Sequence, residues 1–376
     1  MVRAYGIALV SKWRLGVIGL AAAAGVAAAS PSPDQDKPAA PPAATQPRPT
    51  FGADGTVHVP AFELPPSQLS SKEAQEFMKL RARMPGGAPA GDDIAEVRRG
   101  LEAMLSRQVA GMRQAYPVDV EVRTIAGVPT RIITPHGKPF DRKRVLINLH
   151  GGGFSMCADA CAMLESVPIA SLGGFEVVTV NYRMAPEARH PAALEDVTAV
   201  YRELLKSYEP KNIGIYGCSA GGALTAEAAS WLPAHGLPQA GAIGIFGAGA
   251  VRFGAGDSAY FAGYADGTFP PPPRPGETAQ DLTRGYFTGS DLTDAFISPA
   301  LHPDVMAKFP PSLIITGTRA MDMSPAIYTN SQLLKAGVRS TLLVGEAMGH
   351  CFIYQSDLPE ARDAYQVIVA FFRENL

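Results

Sequence analysis

Six short apolar runs recur along the chain, at residues 145–149, 177–180, 213–216, 242–246, 313–316 and 341–344. They are rich in β-branched residues, and helix-like segments separate most of them. A strand with one face in water alternates polar and apolar residues. These runs do not, so both of their faces must be covered. The pattern specifies an α/β fold, a mostly parallel central sheet with helices on both faces. Upstream, residues 118–125 and 128–134 alternate in period two around Ala126-Gly127, which predicts an antiparallel hairpin.

Composition allows such a core. The chain has 376 residues, 47% of them hydrophobic and 18% charged, too little charge for a disordered or polyanion-coating protein. Its 33 basic and 35 acidic residues balance to a net charge of −2, with no basic stripe, which excludes nucleic acid as an expected partner.

The amino terminus differs from the rest. Arg3, Lys12 and Arg14 precede a purely aliphatic and glycine run at residues 15–29, which ends in Ala27-Ala28-Ala29. A charged start, a short apolar stretch and an A-x-A end predict a secretory signal peptide over 1–29. The alternative is a retained anchor, but the run falls short of the roughly twenty residues that span a bilayer. A Pro/Ala-rich linker without hydrophobic period follows over 30–50. The expectation is a periplasmic or secreted protein with no stable membrane span after cleavage, the α/β domain occupying 51–376. Helical segments at 65–113 and a Gly/Pro-rich, aromatic stretch at 250–296 interrupt the sheet pattern and are expected to form a lid.

In sheets of this kind, reactive groups gather in loops at the carboxyl ends of strands. Gly217-Cys218-Ser219-Ala220-Gly221 sits there, after an apolar run and before an Ala-rich segment with helical character. This is the context a G-x-S-x-G nucleophile elbow requires, with Ser219 held out on a sharp strand-to-helix turn. His150-Gly151-Gly152-Gly153-Phe154 follows another strand. Its consecutive glycines leave N–H groups free to meet a developing oxyanion; Gly152, Gly153 and Ala220 are the expected donors. Met348-Gly349-His350 follows the last strand, and chain order makes His350 the expected base.

With these residues in hand, the chain resembles the hormone-sensitive-lipase-like esterases, the bacterial family IV of the α/β-hydrolase superfamily. The resemblance runs from about Thr134 to the carboxyl terminus and rests on His150-Gly151-Gly152-Gly153, on Tyr182-Arg183-Met184-Ala185-Pro186-Glu187 with Pro191 to Asp196, and on Gly217 to Gly222. It implies hydrolysis of short- to medium-chain carboxylic esters without cofactor or metal, on a small-molecule substrate, and pairing of family members through the last strand as a homodimer. An exported carbohydrate deacetylase and a non-catalytic receptor on the same fold are the alternatives. Where the family places its triad acid, in a segment like G-T-R-D, this chain has Gly317-Thr318-Arg319-Ala320-Met321-Asp322. Asp322, two residues beyond the usual position, is the only carboxylate in that loop and is the expected acid; Glu346, or no acid at all, remains open. Arg183 and Glu187 are expected to brace loops rather than touch substrate.

Four cysteines remain, Cys157, Cys161, Cys218 and Cys351, without metal-ligand spacing. Cys157 and Cys161 lie close enough to meet, but so short a disulfide loop is uncommon. All four are expected to be small buried thiols used in packing.

Overall fold

The structure, a computed structural model, describes residues 48–81, 91, 93–266, 269 and 280–376. The expected signal peptide and nearly all of the linker lie outside the described residues. The chain divides into two compact units, Met1–Phe62 and Glu63–Leu376. The described part of the first carries a hairpin of β1 (Thr50–Phe51) and β2 (Val57–His58), paired antiparallel. Asp54 closes its turn by accepting from the Thr56 N–H and hydroxyl.

The second unit opens with helices α1 (Lys72–Arg81) and α2 (Ile94–Ala115). The carboxylate of Asp93 caps α2 by accepting from the N–H groups of Ala95 and Glu96, satisfying donors the first helical turn leaves open. The predicted hairpin follows as β3 (Val118–Ile125) and β4 (Val128–Pro135). Each of the six apolar runs then lies within a strand: β5 (Asp141–Leu149), β6 (Phe175–Val180), β7 (Ile213–Cys218), β8 (Ala242–Phe246), β9 (Ser312–Gly317) and β10 (Ser340–Gly345). Among the described residues they form one eight-stranded sheet in the order β10-β9-β8-β7-β5-β6-β4-β3, parallel from β10 to β6 and antiparallel at β4 and β3.

Side chains alternate across the strands and so build two cores. On one face Ile147, Leu149, Ile213, Ile215, Ile243 and Ile245 pack with α4 (Ala192–Leu204) and α5 (Ala220–Ala234). On the other, Leu146, Tyr216, Phe246, Leu313 and Ile315 meet α3 (Ala160–Gly173) and α9 (Pro359–Asn375). Helix α9 shows why it belongs there: its buried Ala361, Ala364, Tyr365, Ile368, Val369 and Phe372 recur at helical spacing on one face. Helices α6 (Ser258–Asp266), α7 (Pro303–Met306) and α8 (Met323–Lys335) complete the unit.

Candidate active site

The elbow forms because three backbones crowd at the end of β7. Ser219 has φ 60° and ψ −124°, a conformation that costs a non-glycine residue energy and persists only where its surroundings enforce it. Those surroundings are visible at Gly221, where a Cβ would lie 1.7 Å from the Leu149 carbonyl oxygen. Only glycine lets β5 approach the first turn of α5 so closely. The Ser219 N–H donates to Phe246 O at 2.9 Å, anchoring the turn to β8 as well.

The triple-glycine loop leaves β5 beside it. Gly152 and Gly153 have φ of 111° and 61°. The Gly152 carbonyl accepts from the N–H groups of Ser155 and Met156, while among the described residues no group accepts from the N–H of Gly152, Gly153 or Ala220. These are the three N–H groups the sequence marks as oxyanion donors. His150, first residue of the motif, is fully buried and stacked on Tyr182 at 4.2 Å, and the Tyr182 hydroxyl donates to the His150 carbonyl at 2.7 Å. Burial holds its imidazole down to a pKa of about 4, so it serves the loop as a neutral packing group.

The sequence reading missed Glu165, which lies beneath both loops. Its Oε1 accepts from Gly151 N at 2.9 Å and from the Tyr354 hydroxyl at 2.6 Å; its Oε2 accepts from Asn148 Nδ2 at 2.7 Å and from Cys218 N at 3.1 Å. One buried carboxyl thus ties the oxyanion loop to the elbow. Burial pushes its pKa up to about 7, against the pull of four converging donors. The signal was present in the sequence: Glu165 is the one charged residue in the apolar stretch that becomes α3.

On the other side of the site, Asp322 Oδ1 lies 2.6 Å from His350 Nδ1. Asp322 is fully buried, and its second oxygen accepts from the Thr316 hydroxyl at 2.6 Å. The two-residue displacement from Ala320 is absorbed by a tight turn. Ala320 N donates to Gly317 O and Met323 N to Ala320 O, which brings Asp322 to the start of α8 with its carboxyl under the histidine loop. Ala320 itself is buried. Glu346 is engaged elsewhere, accepting from the Ser67 hydroxyl at 2.7 Å. Phe253 and Phe269 meet the His350 ring edge to face at 5.4 and 4.8 Å, limiting its rotation.

Ser219, His350, Gly152 and Gly153 line a single cavity of about 1570 Å³, with Phe77, Met78 and Leu101 contributed by α1 and α2 and residues 251–254 by the segment after β8. Both stretches expected to form a lid therefore supply walls of this cavity. Ser219 Oγ makes no hydrogen bond among the described residues; in sites without substrate such contacts are often long and tighten on binding. No group of three or more His, Cys, Asp or Glu side chains among the described residues could hold a metal ion. No described helix is long and apolar enough to cross a membrane.

Arg183 and Glu187 brace loops, as expected. Arg183 binds Asp196 and Glu195 at 2.9 and 2.8 Å. Glu187 takes both terminal nitrogens of Arg98, whose Nε donates to Ser155 O, so α2 is tied to the oxyanion loop.

The cysteine reading is overturned. Cys157 pairs with Cys161, and Cys218 with Cys351, leaving no free cysteine. Cys157 adopts φ 67° just before α3, which brings its Cα within 5.3 Å of Cys161, inside the range a disulfide spans despite the short loop. The Cα atoms of Cys218 and Cys351 are 6.2 Å apart although 133 positions separate them in sequence.

Comparison with known proteins agrees with this geometry. The family profile of the alpha/beta hydrolase fold matches residues 146–354, more than half of the chain. An acetyl-hydrolase from Streptomyces hygroscopicus is 32% identical over 235 residues, 61% of this chain and 75% of that protein. Arylacetamide deacetylase from Oryctolagus cuniculus is 33% identical over 124 residues, 31% of each chain. The chain spans less than half the length of several of the curated relatives it matches. Among solved structures, an esterase from the bacterial hormone-sensitive lipase family superposes with a TM-score of 0.70 at 26% identity, covering 82% of this chain and 99% of that one. Profile, relatives and superposition converge with the elbow and the glycine loop: the chain belongs to the α/β-hydrolase family, in its hormone-sensitive-lipase-like branch.

Proposed function

We propose that this chain is an exported serine carboxylesterase. The observation that carries the reading is the Asp322–His350 contact at 2.6 Å on the cavity that Ser219 also lines. With Asp322 accepting at Nδ1, the imidazole carries its proton there and leaves Nε2 as the base. Ser219 Oγ attacks the acyl carbon while Nε2 takes its proton. The oxyanion of the tetrahedral intermediate meets the N–H groups of Gly152, Gly153 and Ala220. Collapse expels the alcohol, which leaves with the proton from His350. A water molecule then repeats the sequence on the acyl-enzyme, releasing the carboxylic acid and restoring Ser219.

Substrates are small-molecule esters with short- to medium-chain acyl groups, and the relatives named acetyl-hydrolase and deacetylase support the short end of that range. An Asp322 carboxylate in contact with His350 speaks against the non-catalytic receptor alternative. Export fits the two disulfides, since such bonds persist in oxidising compartments.

A fluorophosphonate probe tests the mechanism: the wild type is expected to label at Ser219 and the Ser219→Ala variant not at all. A series of p-nitrophenyl esters from acetate to decanoate reads the acyl range, with kcat/KM expected to peak at or below about hexanoate. Labelling that survives Ser219→Ala refutes the nucleophile assignment.

A further inference from the structure

We infer that the Cys218–Cys351 disulfide is a positioning device that holds the base against the nucleophile, an inference that rests on the serine-esterase reading above. The two cysteines are the immediate chain neighbours of Ser219 and His350. Their bond therefore joins the two loops at the residues next to the reacting atoms.

The sheet explains why such a tie is needed. Ser219 leaves β7 and His350 comes from the loop after β10, and β8 and β9 lie between those strands. At about 4.8 Å per strand the strand ends are roughly 14 Å apart. The histidine loop must fold back over the ends of two strands to reach the elbow. Its path is marked by Thr318 N donating to Gly345 O and Arg319 N to Met348 O, which pin it over the end of β9. Above β8 it meets Gly247, where a Cβ would lie 2.7 Å from Cys351 Sγ, 3.0 Å from Cys218 Sγ and 3.2 Å from His350 Cε1. Gly247 has φ 54° and its N–H is held by Ile315 O at 2.8 Å. The absent side chain leaves the space that the two sulfurs and the imidazole edge share. Cys351 Sγ also sits 3.6 Å from His350 Nε2, so the sulfur limits where that nitrogen can move.

The base is thereby held from two directions. Asp322 and Thr316 fix the Nδ1 side, and the disulfide fixes the backbone from which the ring projects. Asp322 orients the ring but belongs to neither loop, so the disulfide is the covalent link between the elbow and the histidine loop. Cys218 and Cys351 touch no substrate in this scheme; they act through Ser219 and His350.

Cys351 lines the cavity, which gives a small thiol reagent its approach to the bond. A dithiothreitol thiolate attacking its sulfur forms a mixed disulfide and releases Cys218 as a thiolate. The reagent's second thiol then closes its ring and frees Cys351, so the protein gains two electrons and two protons and the reagent becomes the cyclic disulfide.

Two measurements test the inference on the full chain. In the Cys218→Ala/Cys351→Ala variant, kcat is expected to fall by about a hundredfold, as an ångström-scale misplacement does, with KM within about twofold of wild type. The rate of fluorophosphonate labelling should fall with kcat, at a temperature where circular dichroism shows the variant folded. Should that variant fail to fold, dithiothreitol treatment of a folded Cys157→Ala/Cys161→Ala variant, which keeps only the Cys218–Cys351 bond, gives the same reading: kcat drops and recovers on reoxidation. A lowered Tm with wild-type kcat and labelling rate, in either measurement, overturns the inference and leaves the bond a structural brace. Oxidised wild-type protein that neither turns over esters nor labels overturns the esterase reading and this inference together.

Discussion

The two halves of the active site are built from different materials. The Ser219 side rests on β5 and β7 in the middle of the sheet, where every residue of β7 is buried. The His350 side comes from β9 and β10 at one edge, and β10 has no fully buried residue. At the centre, backbone crowding shapes the elbow and the glycine loop, and the Glu165 carboxyl joins them. On that side the outermost strand is only partly buried, and side chains and a covalent bond add to the backbone contacts: Thr316 to Asp322, Asp322 to His350, Cys351 to Cys218. A catalytic site can thus be half moulded by main-chain sterics and half assembled by side-chain contact. The halves should fail differently.

Ser219→Ala should give the largest effect, a loss of about a millionfold in kcat with the fold intact, since the elbow geometry does not need the hydroxyl. Retention of a tenth of wild-type turnover would break the assignment. Asp322→Asn should cost about ten-thousandfold in kcat, because the imidazole loses its orienting anion. Near-normal turnover in steady-state assays would show that the edge half needs no acid. Adding Ala320→Asp to that variant should restore part of the rate, and its measured extent reports how much the displaced turn constrains the acid.

Removing the tie beneath the central half should act on stability first. Glu165→Ala strands the buried N–H groups of Gly151 and Cys218, and is expected to cost about 3 kcal/mol in denaturant unfolding. The same residue sets a pH dependence. Its folded pKa is raised from 4.5 to about 7, so between those values the folded state binds more protons than the unfolded one. Its contribution to stability is therefore fully present below about 4.5 and is lost as pH rises towards about 7. Tm measured from pH 5 to 8 should show this decline in the wild type and a flatter profile in Glu165→Gln. An identical slope in both would assign the dependence to other groups. The smallest effect is expected from Arg183→Ala: its side chain is half exposed, and such ion pairs contribute about 1 kcal/mol or less. A KM changed severalfold would mean that Arg183 touches substrate after all.

The sheet and the central half of the site were legible in the order of the residues alone. The five apolar runs from residues 145 to 316 lie in buried strands because burial on both faces is written into near-continuous apolar residues, whereas the run at 341–344 lies in the edge strand β10, where no residue is fully buried. The elbow and glycine loop were legible for a related reason: their motifs are local, small residues within five positions of one another. Glu165 escaped because one acid in an apolar helix carries no period, and its four partners come from three other segments. Asp322 could be named as the sole carboxylate of its loop, but only the turn from Gly317 to Met323 decided that it, and not Glu346, reaches His350. The cysteines show the limit most sharply. Separation in sequence says nothing about two loops meeting above a sheet, and the pairing of Cys218 with Cys351 follows only once the parallel strands have brought the carboxyl ends of β7 and β10 to the same end of the sheet and the histidine loop has folded back across β9 and β8.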